Sequence, residues 1–372
     1  MPPLHLYGVF KTVSNAIQDV PAVMRAAVYR GENRVVVETI PTPEIAPGEI
    51  LIRVEACGVC HTDLKKVEYN LLPPPRVYGH ETAGIVAKVG AAVTRFKRGD
   101  RVIVFHHIPC GDCFYCIRKL YAQCPVYKKV GVTAGFEPAG GGFSQYVRVM
   151  DWIVERGVER IPDGVSFAVA SFVEPLNTVL KAVEQLAPAK GDVVLVAGQG
   201  PIGLLFTMLL HARGVRVIST DTIPHRRSLA LKCGADNCFD PRTEEAINGL
   251  KSLTNGRGAD AAIVAASAKG IVESAVLSTR PGAKIVLFAQ TSDKERIELS
   301  GASICVGERI LMGCYSASID VQKQSVDLVF GGTLPLDLLL TDRYRLDDIN
   351  AAFDLASHPT ERSLKVVVEP HA

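Results

Sequence analysis

The rhythm of hydrophobic and polar positions changes once along the chain, near Pro162-Asp163-Gly164. Before that point the apolar runs are short: Met24–Tyr29, Val35–Thr39, Ile50–Ala56, Gly84–Val89 and Arg101–Phe105, broken by turn residues at Pro41–Gly48 and Gly99-Asp100. Short β-branched runs bounded by Gly, Pro and Asp predict strands. So many of them predict a β-rich, partly open barrel. After the change, Phe167–Leu186 reads as helix. Strand Val193–Ala197 with helix Ile202–Ala212, strand Val215–Thr220 with helix Pro224–Leu231, and strand Ala261–Ala265 with helix Lys269–Ser278 then alternate. Strands Lys284–Phe288 and Arg309–Gly313 follow. Apolar strands spaced by helix-length segments predict a parallel sheet covered on both faces. Lys365–Val368 regains strand character and can rejoin the first part. The expected fold class is therefore α/β: a β-rich domain at 24–177 and 316–372, interrupted by a Rossmann-type doubly wound domain at 178–315. Residues 1–23 precede the first clear strand and form a peripheral extension.

Composition narrows the class. A chain of 372 residues exceeds one ordinary core and suits two domains. With 48% hydrophobic and 22% charged residues it is an ordered globular protein. Lys and Arg (41) nearly balance Asp and Glu (39), and no basic run forms a stripe, so nucleic acid is not an expected partner. The N-terminal residues lack a basic and then apolar leader. The longest apolar runs are strand-sized or carry Gly, His or Arg, which argues against a membrane partner. Four of the ten Cys lie within Cys110–Cys124, and Cys57 and Cys60 flank a Gly-Val pair. Close cysteines without a secretion signal read as metal ligands or buried thiols, not as a disulfide framework, and the expected compartment is cytoplasmic. Cys233, Cys238, Cys305 and Cys314 read as buried or half-buried thiols.

Val193–Ala197 runs into Gly198-Gln199-Gly200-Pro201-Ile202-Gly203, a G-x-G-x-x-G at the opening of a helix. Gly198 permits the tight turn, Gly200 lets backbone approach a pyrophosphate, and Gly203 lets helix and strand pack closely. The N–H groups at the helix start, with Pro201 and Ile202, then face phosphate. Asp221 closes the next strand, where a carboxylate can accept from both ribose hydroxyls and repels a 2′-phosphate. A glycine turn can be purely structural, but strand, glycines, helix, second strand and terminal Asp together point to NAD. Arg226 and Arg227 nearby moderate that preference, because arginine can hold a 2′-phosphate.

Cys110, Cys113, Cys116 and Cys124 give C-x2-C-x2-C-x7-C. Four thiolates enclose Zn2+ tetrahedrally with no open position, so such a site stabilises a lobe and performs no chemistry. An iron–sulfur cluster and free thiols are the alternatives; the last spacing exceeds that of a ferredoxin run. Cys60, His80, Glu81 and Glu174 form a second, more open donor set, in which mixed S, N and O ligands leave a place for water or alcohol oxygen. Taken singly, Cys60 can be a buried small hydrophobe, His80 a satisfied interior histidine, and either Glu a charge at a surface or seam. A dinucleotide domain, which needs a partner site to polarise oxygen, favours the metal reading.

CGVCHTDL, GHETAG, the four-cysteine loop, VEPL and GQGPIG, in that order, resemble the medium-chain zinc-dependent alcohol/polyol dehydrogenase family, from about Met24 to near the C-terminus, in particular its sorbitol/threonine dehydrogenase branch. The resemblance implies a GroES-like catalytic domain around the Rossmann domain, two Zn2+ per chain (one catalytic, one structural), NAD as cofactor, and a homodimer or homotetramer. It implies that Cys60 and His80 ligate the catalytic zinc, that Glu81 contacts it or exchanges onto it, and that Glu174 is the third protein ligand. Asp63 is implied to orient His80, and Thr62 to pass the substrate proton toward the ribose. Lys65 stands at the next relay position, where the family often has His, which leaves the proton route open. His61 and Lys365 are implied to approach the cofactor pyrophosphate, with Arg226 near the ribose.

The expected reaction is hydride transfer from a secondary alcohol, a polyol or sugar-like molecule, to NAD+, giving a ketone. His106, four residues before Cys110, falls on the wall of the substrate cleft, where an imidazole can bind a hydroxyl; it can equally turn into a loop network with His107. A simple alcohol dehydrogenase or aldehyde reductase, and an amino-alcohol dehydrogenase, are the competing enzymes. A noncatalytic, zinc-stabilised NAD(H)-binding redox sensor is the competing class, and it leaves the second donor set without a purpose.

Overall fold

The computed structural model describes residues 19–129, 131–136, 138, 140–289 and 296–372, with backbone alone at 245–247. Most of the expected N-terminal extension, residues 1–18, lies outside the described residues.

Six parallel strands form one sheet, in the spatial order Asn237–Phe239, Arg216–Thr220, Val193–Ala197, Ala259–Val264, Thr279–Leu287, Ile310–Gly313. Every residue of Val193–Ala197 is buried, as a central strand covered on both faces requires. The strand order reverses beside this strand, between its pairings with Arg216–Thr220 and Ala259–Val264. A doubly wound sheet opens a crevice at such a switch point, beyond the carboxyl ends of its strands. Gly198–Gly203 lie there.

The other large sheet runs Leu340–Arg345, Lys365–Glu369, Ile50–Gly58, Glu81–Val89, Arg101–Val104, Val158–Arg160, with Tyr146–Val149 also paired to Ile50–Gly58. Strand Lys365–Glu369 lies antiparallel to Ile50–Gly58, with Val367 opposite Gly58 and Val368 opposite Cys57. The end of the chain is thereby set against the CGVC segment. Tight apolar packing of Ile50, Leu51, Ile52, Val54, Val86, Val102 and Val147 fills the space inside this curled sheet.

Several expectations need correction. Phe167–Leu186 is two helices, Phe167–Ala170 and Val173–Leu186. In one continuous helix the ring of Pro175 would meet the carbonyl of Ser171 four residues back; restarting the helix puts Pro175 in a first turn, where its missing N–H costs nothing. The edge strand Asn237–Phe239 has no run of apolar residues to mark it and is half-buried. Cys233 and Cys314 are buried and Cys238 half-buried, but Cys305 is exposed at the end of the short helix Gly301–Cys305. Among the described residues, no helix is long and apolar enough to cross a membrane.

Candidate functional site

The site begins where strand Ile50–Gly58 gives way to helix His61–Glu68. Cys60 is the N-cap: its Sγ accepts from Thr62 N at 3.5 Å, while its own N–H donates to Asp63 Oδ2 at 3.4 Å, closing a capping box. The second oxygen of the fully buried Asp63 accepts from His80 Nδ1 at 3.0 Å and from Gly79 N at 3.4 Å. One carboxylate thus caps a helix and fixes an imidazole. With Nδ1 engaged, the other edge of His80 faces Cys60. Burial works against a charged His80, but Asp63 and then Cys60 hold its proton affinity well above the ordinary value. Burial likewise opposes ionisation of Asp63, and the charge and hydrogen bond of His80 bring it below the usual carboxylate range.

Glu81 follows His80 at the start of its strand, opposite Gly58 in register. A Cβ on Gly58 would lie 1.9 Å from Glu81 Oε2, so this close approach requires glycine. The donor atoms of Cys60, His80 and Glu81 all fall within 4.8 Å of one another. A thiolate, an imidazole and a carboxylate converging at that spacing fit one zinc ion with a position to spare.

The other expected site residues are placed unevenly. Glu174, in the first turn of helix Val173–Leu186, is buried close by but is not part of that three-residue cluster; its Oε1 accepts from His107 Nε2 at 2.9 Å. Lys365, expected by the cofactor pyrophosphate, here turns into the donor cluster. Its Nζ is paired with Glu81 and donates to Val59 O at 3.1 Å, because the register of its strand points it into the site. Lys365 and Glu81 are a buried ion pair, 6% and 1% exposed. Burial first, then the neighbouring carboxylate (Glu174 at Glu81, Asp63 at Glu174), raises the proton affinity of Glu81 and Glu174 above the usual carboxylate range, with Lys365 the main opposing charge at Glu81 and His80 at Glu174. Thr62 and Lys65 are half-buried on the capped helix. His61 is exposed at the first position of the capped helix, and desolvation, then the charges of Lys365, Lys65 and Arg226, lower its proton affinity.

His106 is 3% exposed and lies edge-on to His80, ring centroids 5.6 Å apart. Its Nδ1 is buried without a hydrogen-bond partner. Burial, then His107 and His80, push its proton affinity well below the ordinary value. His107, which the sequence left as a neighbour of His106, is the residue that reaches Glu174; the pair of adjacent histidines was the signal, but it cannot say which ring turns where.

At the switch point, helix Pro201–Ala212 starts with Gly200 as N-cap and Pro201 at its first position. A Cβ on Gly203 would strike Gly198 O at 1.9 Å, whereas one on Gly200 meets nothing nearer than Arg226 Nη1 at 3.9 Å. Gly203 is thus a packing glycine, and Gly200 leaves a space of the kind a pyrophosphate uses. Asp221 Oδ2 accepts from Gln199 N at 2.7 Å and Oδ1 from Ile223 N at 2.8 Å, which ties the carboxylate to the turn. Gln199 points inward, accepting from Thr207 Oγ1 at 2.9 Å, and so serves the turn rather than a ligand.

The four cysteines form a separate lobe. Sulfur separations are 3.5 Å for Cys113–Cys116, 3.6 Å for Cys124–Cys110 and 3.8 Å for Cys110–Cys116. A tetrahedron with Zn–S bonds of about 2.3 Å has edges of roughly 3.8 Å, so the donor set fits zinc without rearrangement. Burial opposes ionisation of Cys124, yet backbone N–H groups of Cys110, Tyr127 and Val126 bring its thiol down to about 6.

Comparison with known proteins gives the family. Residues 46–162 match the alcohol dehydrogenase GroES-like domain, and residues 201–330 match the zinc-binding dehydrogenase domain. The chain is 31% identical over 358 residues to a sorbitol dehydrogenase of Bacillus subtilis, covering 95% of this chain and 99% of that one. It is 30% identical over 364 residues to an (R,R)-butanediol dehydrogenase of Neisseria gonorrhoeae, covering 94% and 100%. Among solved structures, a zinc-binding dehydrogenase from Sinorhizobium meliloti bound to NADP superposes with a TM-score of 0.83 at 27% identity, covering 94% of this chain and 100% of that one. With these two domains matched and its length shared almost end to end, the chain belongs to the medium-chain zinc-dependent alcohol/polyol dehydrogenase family and is an oxidoreductase.

Proposed function

We propose that the protein oxidises a secondary alcohol carrying a neighbouring polar group, of the polyol type, to the corresponding ketone with NAD+. The observation that carries the substrate class is His106: a buried imidazole nitrogen without a partner, beside the Cys60–His80–Glu81 cluster, is a costly feature that a second substrate hydroxyl relieves. Sorbitol and 2,3-butanediol, named in two relatives, both carry a hydroxyl next to a secondary carbinol.

Cys60, His80 and Glu81, with Glu174 at hand, would hold the catalytic zinc, and Cys110, Cys113, Cys116 and Cys124 would hold a second, structural one. When bound, the first metal supplies Lewis acidity toward the alcohol oxygen, and the nicotinamide accepts the hydride. Asp63 keeps His80 in the tautomer whose free nitrogen faces the metal. Thr62 presents a hydroxyl beside Cys60 to take the substrate proton outward, and Lys65, one turn on, continues that route toward solvent. Lys365 offsets part of the cost of burying a charge on Glu81.

Gly198, Gly200, Pro201, Ile202 and Gly203 cradle the pyrophosphate, with Arg226 supplying charge and the His61 ring a hydrogen-bond donor. Asp221, held as an acceptor at the turn, favours the unphosphorylated ribose of NAD+. The catalytic part comprises 24–177 and 316–372 and the nucleotide part 178–315, a division supported by the pairing of Lys365–Glu369 with Ile50–Gly58. The chain assembles as a homodimer or homotetramer, which a mass measurement in solution tests.

An NAD+-reduction screen of the zinc-loaded protein against linear polyols, cyclic polyols, amino alcohols and simple secondary alcohols tests the reading. Highest kcat/KM on a hydroxylated substrate is expected; a preference for the unfunctionalised alcohol overturns the substrate class. Metal analysis should find two zinc ions per chain, and one after Cys113→Ala.

A further inference from the structure

Tyr127 belongs to the cysteine lobe and to the catalytic cleft at once. Its backbone N–H points at the Cys124 sulfur, and its side chain packs in the lobe's small apolar cluster. Its ring stacks on His107, centroids 4.8 Å apart and planes within 23°. Its hydroxyl donates to Ala317 O at 3.0 Å, so the 2.7 Å contact with Ser316 uses the Ser316 hydroxyl as donor. His107 then donates to Glu174. The phenol is 3% exposed and burial raises its proton affinity, so it stays a neutral, fixed donor.

Among the described residues, the imidazole of His107 has one hydrogen bond, at Nε2, and its Nδ1 is buried without a partner. No hydrogen bond on the opposite edge fixes the plane of the ring. Ring packing does so: His106 lies 3.8 Å and Phe105 5.6 Å from it between centroids, both at steeper angles, and Tyr127 is the neighbour stacked most nearly parallel, so its face sets the plane that decides where the Nε2–H vector, and hence the Glu174 oxygen, comes to lie.

We propose that the four-cysteine lobe positions the Glu174 carboxylate through Tyr127 and His107, making Tyr127 a positioning residue for the reaction. The lobe then contributes more than local stability: its fold sets a carboxylate beside the Cys60–His80–Glu81 cluster from outside the sheet that carries the cluster. This inference rests on the reading of Glu174 as part of the catalytic metal site.

The test uses the full-length, zinc-loaded enzyme, with three readouts: affinity of the exchangeable zinc by chelator competition, kcat, and KM for NAD+. Tyr127→Leu removes the stacking face. It is expected to weaken the exchangeable zinc and lower kcat by tenfold or more, with KM for NAD+ within twofold and the lobe zinc retained. Tyr127→Phe keeps the face and should stay within threefold of wild type in zinc affinity and kcat. Equal impairment of the two variants, or a wild-type Tyr127→Leu, overturns the proposal. Should Tyr127→Leu not fold, Tyr127→Met against Tyr127→Phe asks the same question, because Met fills the site without a flat face; equal impairment of the two overturns the proposal. Glu174→Gln in the same assays separates the two readings. Indifference to it overturns both, whereas an enzyme sensitive at Glu174 and indifferent at Tyr127 overturns this inference alone.

Discussion

Asp63 Oδ1 lies 3.0 Å from His80 Nδ1, while the other oxygen of the same carboxylate caps the helix that carries Cys60. The helix start and the histidine are therefore set by a single buried group, and the relative position of two metal-ligand candidates depends on it. Asp63→Asn keeps an acceptor for His80 but removes the charge that strengthens imidazole donation. Zinc affinity at the catalytic site should fall by roughly 10- to 100-fold, with the lobe zinc unchanged, in a chelator titration that resolves two sites. Uniform loss from both sites would contradict this account.

The Lys365–Glu81 pair makes a prediction about stability. Lys365→Met leaves a buried carboxylate without its cation, which costs roughly 3–5 kcal/mol when one partner alone is removed. Denaturant unfolding of the metal-free protein should show this loss, and the double variant Lys365→Met with Glu81→Gln should recover most of it. Zinc loading should also narrow the gap between Lys365→Met and wild type, because the metal's charge replaces the ammonium. An equally large gap with and without zinc counts against a Glu81 that faces the metal.

Asp221 serves both the turn and the ribose. Asp221→Ser should shift the ratio of kcat/KM for NAD+ over NADP+ by on the order of tenfold toward NADP+, since the charge that disfavours a 2′-phosphate is gone and Arg226 and Arg227 remain. It should also destabilise the fold by about 1–3 kcal/mol, because the N–H groups of Gln199 and Ile223 lose their carboxylate. Stability loss without any change in cofactor preference would assign Asp221 to the turn alone.

His106→Phe removes the unpartnered Nδ1 while keeping a flat ring. The kcat/KM on the preferred hydroxylated substrate should drop roughly 3- to 10-fold, one hydrogen bond's worth, and change less on a simple secondary alcohol of similar size. Equal change on both substrates would return His106 to a packing role and leave the dehydrogenase chemistry untouched.

The sequence by itself determined the fold class and the oxidoreductase family. Apolar runs at Val193–Ala197 and Val215–Thr220, separated by a helix-length segment, carry their own periodicity, and the turn at Gly198–Gly203 is a local event governed by backbone approach. The four cysteines lie within one loop, so their spacing already encodes their convergence. Asp63 and Cys60 were legible as neighbours for the same reason.

What tertiary structure alone decided are the contacts made across long stretches of chain. Lys365 faces Glu81 because strand register, set by pairing with Ile50–Gly58, fixes which face each side chain takes; a shift of one residue would reverse it. Glu174 meets His107 instead of closing the three-residue cluster because the break at Ser171-Phe172 sets the start of its helix and the stack on Tyr127 sets the imidazole plane. Neither register nor ring stacking leaves a periodic trace in the amino-acid order. Both arise from packing between segments far apart in the chain, and that packing places the carboxylates around the site.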